Sequence, residues 1–163
     1  MYFFYGFSGL IDFQNMLNKL LQNKFKIIGS IVIVLCFAMI RLFEYKLFYD
    51  PFWNYFQNDF LNSPYPIVET GKLFFGMVFR YFLNSVLSLI LIYILFQNRE
   101  ILKFSMILYV LFLIVLLGMF FIILKFFPDG AWLLFYVRRF IIQPLFVLLF
   151  IPGFYYQLQY SKK

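Results

Sequence analysis

The stretch Phe104–Leu124, FSMILYVLFLIVLLGMFFIIL, carries no charged residue and has about the 20 residues a helix needs to cross roughly 30 Å of hydrocarbon. A soluble core has no need of so long an uninterrupted apolar run. The whole chain follows suit: its 163 residues are 64% hydrophobic and 13% charged, whereas soluble domains hold about 25% charged residues to cover a wet surface. Mean hydropathy is +0.87. The sequence therefore reads as an all-α integral membrane protein forming a single membrane domain.

Working outward from that run, three more spans emerge at residues 27–47, 73–97 and 131–156, with 104–124 third in order. Lysine and arginine in short connections stay cytoplasmic whatever acids lie near them. Lys19, Lys24 and Lys26 precede the first span. Arg99 and Lys103 occupy the tight turn between the second and third, and Lys162 with Lys163 follows the fourth. These segments belong on one side, so both the lead 1–26 and the tail 157–163 are expected in the cytoplasm. Met1–Asn15 lacks the layout of a signal peptide, and MLNKLLQNKFKIIG from Met16 reads as a normal basic lead, which makes Met16 a candidate start.

The connection 48–72 is then external. Asp50 is placed to cap a helix opened by Pro51, with Phe52, Trp53, Phe56 and Phe60 at helical spacing on one side. Such an amphipathic segment is expected to lie in the headgroup layer until Pro64 and Pro66 turn the chain back.

Against this background four of the five arginines, Arg41, Arg80, Arg138 and Arg139, fall at the external, wrong end. A cation at membrane depth costs about 2.5–3.5 kcal/mol on insertion scales, so each calls for negative charge. Arg41 has Glu44 three residues on, within reach along one helix face. Arg80 heads a stripe with Asn84 and Ser88 at four-residue spacing, which should face protein and join helices by hydrogen bonding. Arg139 and Gln143 are one turn apart, and Pro144 frees a backbone carbonyl. Arg138 points about 100° away. Because Glu44 cannot serve them all, Arg138 and Arg139 are the pair least easily balanced from within. An external anion, whether a phospholipid, a lipid-linked sugar or a peptide carboxyl terminus, suits arginine's planar fork. Loop acids and snorkelling to ordinary lipid phosphates are the alternatives. On the anion reading, Arg138→Gln or Arg139→Gln abolishes function without lowering abundance.

Other chemistries find little footing. The net charge of +7 is scattered through membrane runs, not gathered on a polar face with stacking aromatics, so no nucleic-acid partner is expected. Histidine is absent and cysteine occurs once, at Cys36; no disulfide, metal centre or activated cysteine nucleophile is expected, and no catalytic residue or cofactor is assigned. Gly29, Gly76 and Gly118 form no GxxxG pair. Pro152 with Gly153 is expected to bend the last turn.

Five strings carry a family resemblance: RLFE (Arg41–Glu44), LFYDPF (Leu47–Phe52), FRYFLNS (Phe79–Ser85), FYVRRFIIQPLF (Phe135–Phe146) and IPGFYYQ (Ile151–Gln157). Together they resemble the exosortase F system-associated membrane proteins of Bacteroidota, over the stretch from Met16 to Gln157. The resemblance implies a bacterial inner-membrane location and an exosortase family protein as membrane partner. Exosortases resemble transpeptidases that use cysteine, arginine and histidine; a chain without histidine is not that enzyme, and a non-enzymatic accessory role is implied. A structural small subunit of another inner-membrane secretion or motility complex stays open beside it.

Overall fold

The computed structural model describes residues 23–58 and 64–160, and among them every regular element is a helix. In chain order these are α1 (Lys24–Leu47), the short α2 (Phe52–Tyr55), α3 (Thr70–Phe96), α4 (Arg99–Phe126), α5 (Ala131–Ile142) and α6 (Leu145–Tyr160). The stretch before Asn23 with the alternative start at Met16, Phe60 of the expected amphipathic segment, and Lys162–Lys163 lie outside the described residues.

Three helices, α1, α3 and α4, are long and apolar enough to cross a membrane, and a fourth crossing follows if α5 and α6 count as one span. A continuous helix was expected over 131–156; instead α5 and α6 meet at a 65° bend. The cause is local. Pro144 has no amide to offer Phe140, and the Leu145 amide turns back onto the Gln143 carbonyl at 2.8 Å, so the i→i−4 ladder is interrupted over consecutive residues. Pro152, where a bend was also expected, lies inside α6.

The chain reverses between α3 and α4 in two residues. Gln97 ends α3 in the left-handed region at φ 51°, and Asn98 begins α4 by accepting hydrogen bonds on its side-chain oxygen from the Glu100 and Ile101 amides, a standard N-cap arrangement. At this turn end of the bundle, Lys26 Nζ on α1 donates to the Leu95 carbonyl at 3.0 Å. Phe154 on α6 meets Phe96 and Phe104 there, ring centroids 6.1 Å apart in each case. At the opposite, loop end, Tyr65 donates its hydroxyl to the Phe127 carbonyl at 2.9 Å. The bent pair starts just beyond Phe127 and passes Phe154 in its second half, so its two halves together join the loop end to the turn end.

Helix α3 is the hub, touching α1, α4, α5 and α6. Lipid tails are as apolar as leucine, so what favours these pairings in a bilayer is close packing and interhelical hydrogen bonds rather than escape from water. Aromatic layers supply the packing: Phe112 stacks on Phe146 at 4.4 Å and Tyr109 meets Phe150 edge-on at 5.4 Å. Tyr81 donates to the Tyr109 carbonyl at 2.8 Å.

The segment after α1 does not lie across the top of this bundle; it is tucked into it. Phe52 is fully buried, edge-on to Phe120 at 5.7 Å, and Phe56 packs on Phe135 at 5.2 Å. Trp53 is half-buried, while Tyr49, Asn54, Gln57 and Asn58 are exposed. Non-helical backbone is tolerated at such depth because protein surrounds it. Gly76 makes the approach feasible, since a Cβ there would stand 2.9 Å from the Tyr49 carbonyl oxygen. Gly118, by contrast, faces open space. Alanine should therefore act in opposite directions at these sites. Gly118→Ala is expected to stabilise by up to about 1 kcal/mol through helix propensity, and Gly76→Ala to destabilise despite the same gain, as read by thermal unfolding in detergent.

Candidate functional site

The tucked segment delivers an acid to the arginines. By helical rise, Arg80 lies roughly 15 Å below the start of α3, and its side chain is 3% exposed. Two carboxylates reach its Nη1: Glu44, from the last turn of α1, at 3.3 Å, and Asp50, from the segment beyond, at 3.1 Å. Asp50 also receives Arg138 from α5, whose Nη2 donates to Oδ2 and Nε to Oδ1 at 3.3 Å. Both partners of that pair are 7% exposed. Glu44 in turn accepts from Arg41 at 2.6 Å across an i,i+3 spacing. The order Arg41, Glu44, Arg80, Asp50, Arg138 thus forms one alternating chain of charge linking α1, the tucked segment, α3 and α5.

Rings complete the enclosure. Phe48 lies 4.6 Å under the Arg80 guanidinium carbon and Phe56 lies 5.7 Å from that of Arg138, within the range of cation–π attraction. Within the network, Arg80 Nε is buried with no acceptor among the described residues.

The residues singled out in the sequence separate into three groups. Arg80, Glu44 and Arg138 are buried in the network. Asn84 is buried beside it and donates to the Ile142 carbonyl at 2.9 Å, filling an acceptor near the α5–α6 break; Ser88, expected to join helices, bonds the Asn84 carbonyl of its own helix at 2.7 Å. Arg41 and Arg139 stay at the surface. Arg41 is 57% exposed, and Arg139, exposed, donates from Nε to Gln143 Oε1 at 3.0 Å.

Two expectations change in consequence. Arg138 and Arg139 are not a pair awaiting one anion: Arg138 is balanced by Asp50, 88 residues away in sequence, and only Arg139 is without an acid among the described residues. Nor does Asp50 cap the following helix, since the α2 N-terminus has no side-chain cap and Pro51 stands at the capping position. The Asp50 carboxylate is used on arginines, and its backbone carbonyl accepts from the Trp53 amide at 3.2 Å.

Two cavities flank the network. One, about 310 Å³, is lined by Glu44, Phe48, Tyr49, Asp50, Trp53 and Arg80. The other, about 420 Å³, runs between α1, α3 and the α5–α6 break. It has Arg41, Glu44, Arg80, Asn84 and Gln143 at its polar end and apolar walls that include Val34, Phe37, Leu91, Leu148 and Ile151.

Removing one partner of a buried pair strands the other, at about 3–5 kcal/mol. Asp50→Asn leaves Arg138 without any acid and is expected to cost about that much, with Arg138→Gln costing less because Arg80 still holds Asp50. Arg139→Gln should fall within about 0.5 kcal/mol of the parent, as surface changes do. Unfolding of the purified protein, with membrane abundance in parallel, checks this order.

No family model matches the chain, and no curated protein or solved structure gives a significant match to it.

Proposed function

We propose that this chain is a non-enzymatic, four-pass accessory protein of a bacterial inner membrane, with both ends cytoplasmic and the ion network below its external face. The membrane assignment draws on the three long apolar helices and the bent pair. The four-pass count draws on the bent pair's join from the Phe127 end to Phe96 and Phe104. The orientation draws on Lys24, Lys26, Arg99 and Lys103 gathering at the turn end, as cytoplasmic lysines and arginines do.

One observation carries the functional reading: the buried acids balance Arg80 and Arg138, leaving exposed Arg41 in the lining of an apolar cleft and exposed Arg139 hydrogen-bonded to the lining residue Gln143. Buried, balanced charge fixes a shape, while exposed arginine recognises an anionic group. The site is therefore for docking a partner, a substrate tail or a lipid anion, and chemistry is not its role. An exosortase family protein as that partner rests on the sequence strings Arg41–Glu44, Leu47–Phe52, Phe79–Ser85, Phe135–Phe146 and Ile151–Gln157.

Pull-down from native membranes is expected to recover a stoichiometric exosortase family protein, with recovery lost in the Arg41→Gln/Arg139→Gln double variant at unchanged abundance. Recovery of a different complex moves the chain to the structural-subunit reading. For topology, a cysteine at exposed Gln57 should react with an impermeant reagent on intact cells while a tag after Lys163 stays protected; the reverse pattern overturns the orientation.

A further inference from the structure

We infer that the cleft between α1, α3 and the α5–α6 break is a lateral binding site for an anionic phospholipid, its headgroup held by Arg41 and Arg139 and one acyl chain lying along the cleft. This rests on the docking role proposed above and names the ligand of that site.

Shape is the first argument. From Arg41 to Val34 on α1, and from Asn84 to Leu91 on α3, the lining runs seven residues, on the order of 10 Å of helix, and its composition changes along that length. Charged and amide side chains stand at one end only; Val34, Leu91, Val147 and Ile151 make the rest apolar. A volume of about 420 Å³ lies within the roughly 300–1,000 Å³ of typical ligand sites. A soluble anion has no use for such walls. A hydrocarbon chain joined to an anionic headgroup matches both the apolar walls and the one polar end.

Charge is the second. Arg41, Arg80, Arg138 and Arg139 face only Glu44 and Asp50 within the network and its rim, which leaves two positive charges uncompensated. They reside on the two exposed members. Arg41 commits one of its donors to Glu44, and Arg139 commits its Nε to a neutral amide. Each guanidinium carries five N–H donors, so both keep donors for phosphate oxygens. Gln143 lines the cleft and accepts from Arg139 at 3.0 Å, which puts that second arginine one hydrogen bond away from the lining. The Gln143–Pro144 break matters here, because a straight helix would carry the Leu145–Ile151 wall in a different direction from the 65° turn observed.

The test is native mass spectrometry of the purified full chain in detergent, titrated with dioleoyl phosphatidylglycerol, dioleoyl phosphatidylcholine or inorganic phosphate. Phosphatidylglycerol is expected to bind one per chain, at least tenfold more tightly than phosphatidylcholine, without competition from inorganic phosphate. Arg41→Gln/Arg139→Gln should erase that preference. Ala38→Trp, at an exposed position lining the cleft, should block binding of both lipids while leaving thermal stability unchanged. Equal affinity for the two lipids, or wild-type binding by either variant, overturns the lipid site. Because the assay contains no protein partner, retained lipid selectivity with an empty membrane pull-down overturns the accessory role and leaves the lipid site standing, and the converse separates them equally.

Discussion

The Asp50 carboxylate, shared between Arg80 on α3 and Arg138 on α5, is the interaction on which the rest of the structure depends. Two guanidinium groups carried by apolar helices cannot be left uncompensated at depth. Neither α3 nor α5 provides an acid of its own near them, so the counter-charge has to come from elsewhere in the chain. Glu44 contributes from the end of α1, but it also holds Arg41. Only by drawing the segment beyond α1 down into the bundle does Asp50 reach both arginines.

That requirement orders much of the surrounding architecture. Once Asp50 is drawn in, Phe48 and Phe52 come with it and bury on Arg80 and Phe120, and the Tyr49 backbone passes so close to α3 that position 76 has room for glycine alone. On the α5 side, Asn84 anchors the Ile142 carbonyl next to the break, so the polar stripe of α3 holds both the charged network and the bent span. Neutralising the interior also sorts the arginines by position: Arg80 and Arg138 are buried against acids, and Arg41 and Arg139 stay exposed.

How much of this was legible in the sequence follows the range of each interaction. The membrane class, the all-helical fold and the near pairs Arg41–Glu44 and Arg139–Gln143 were legible, because hydrophobic run length and a 3.6-residue period fix them locally. The pairing of Asp50 with Arg138 was not, since 88 residues separate them and no local rule joins them. Asp50 before Pro51 instead satisfied a familiar helix-start pattern, and the aromatics behind it matched an interfacial helix as well as an inserted one. Spacing places residues on one side of a helix without saying whether lipid or protein covers it. Gln143–Pro144 announced a disturbance; that the chain turns by 65° depends on the Leu145 amide and on Asn84, contacts visible only in three dimensions.

The most direct test of the central claim is a double-mutant cycle between Asp50→Asn and Arg138→Gln, measured as unfolding free energy of the purified protein. Contact across a buried, hydrogen-bonded pair predicts a coupling energy of about 1.5 kcal/mol or more, within the range of residues in one network. The double variant should then be far less impaired than the sum of the singles. Strictly additive effects, within about 0.5 kcal/mol, would contradict the Asp50–Arg138 contact and with it the tucked segment that the contact holds in place.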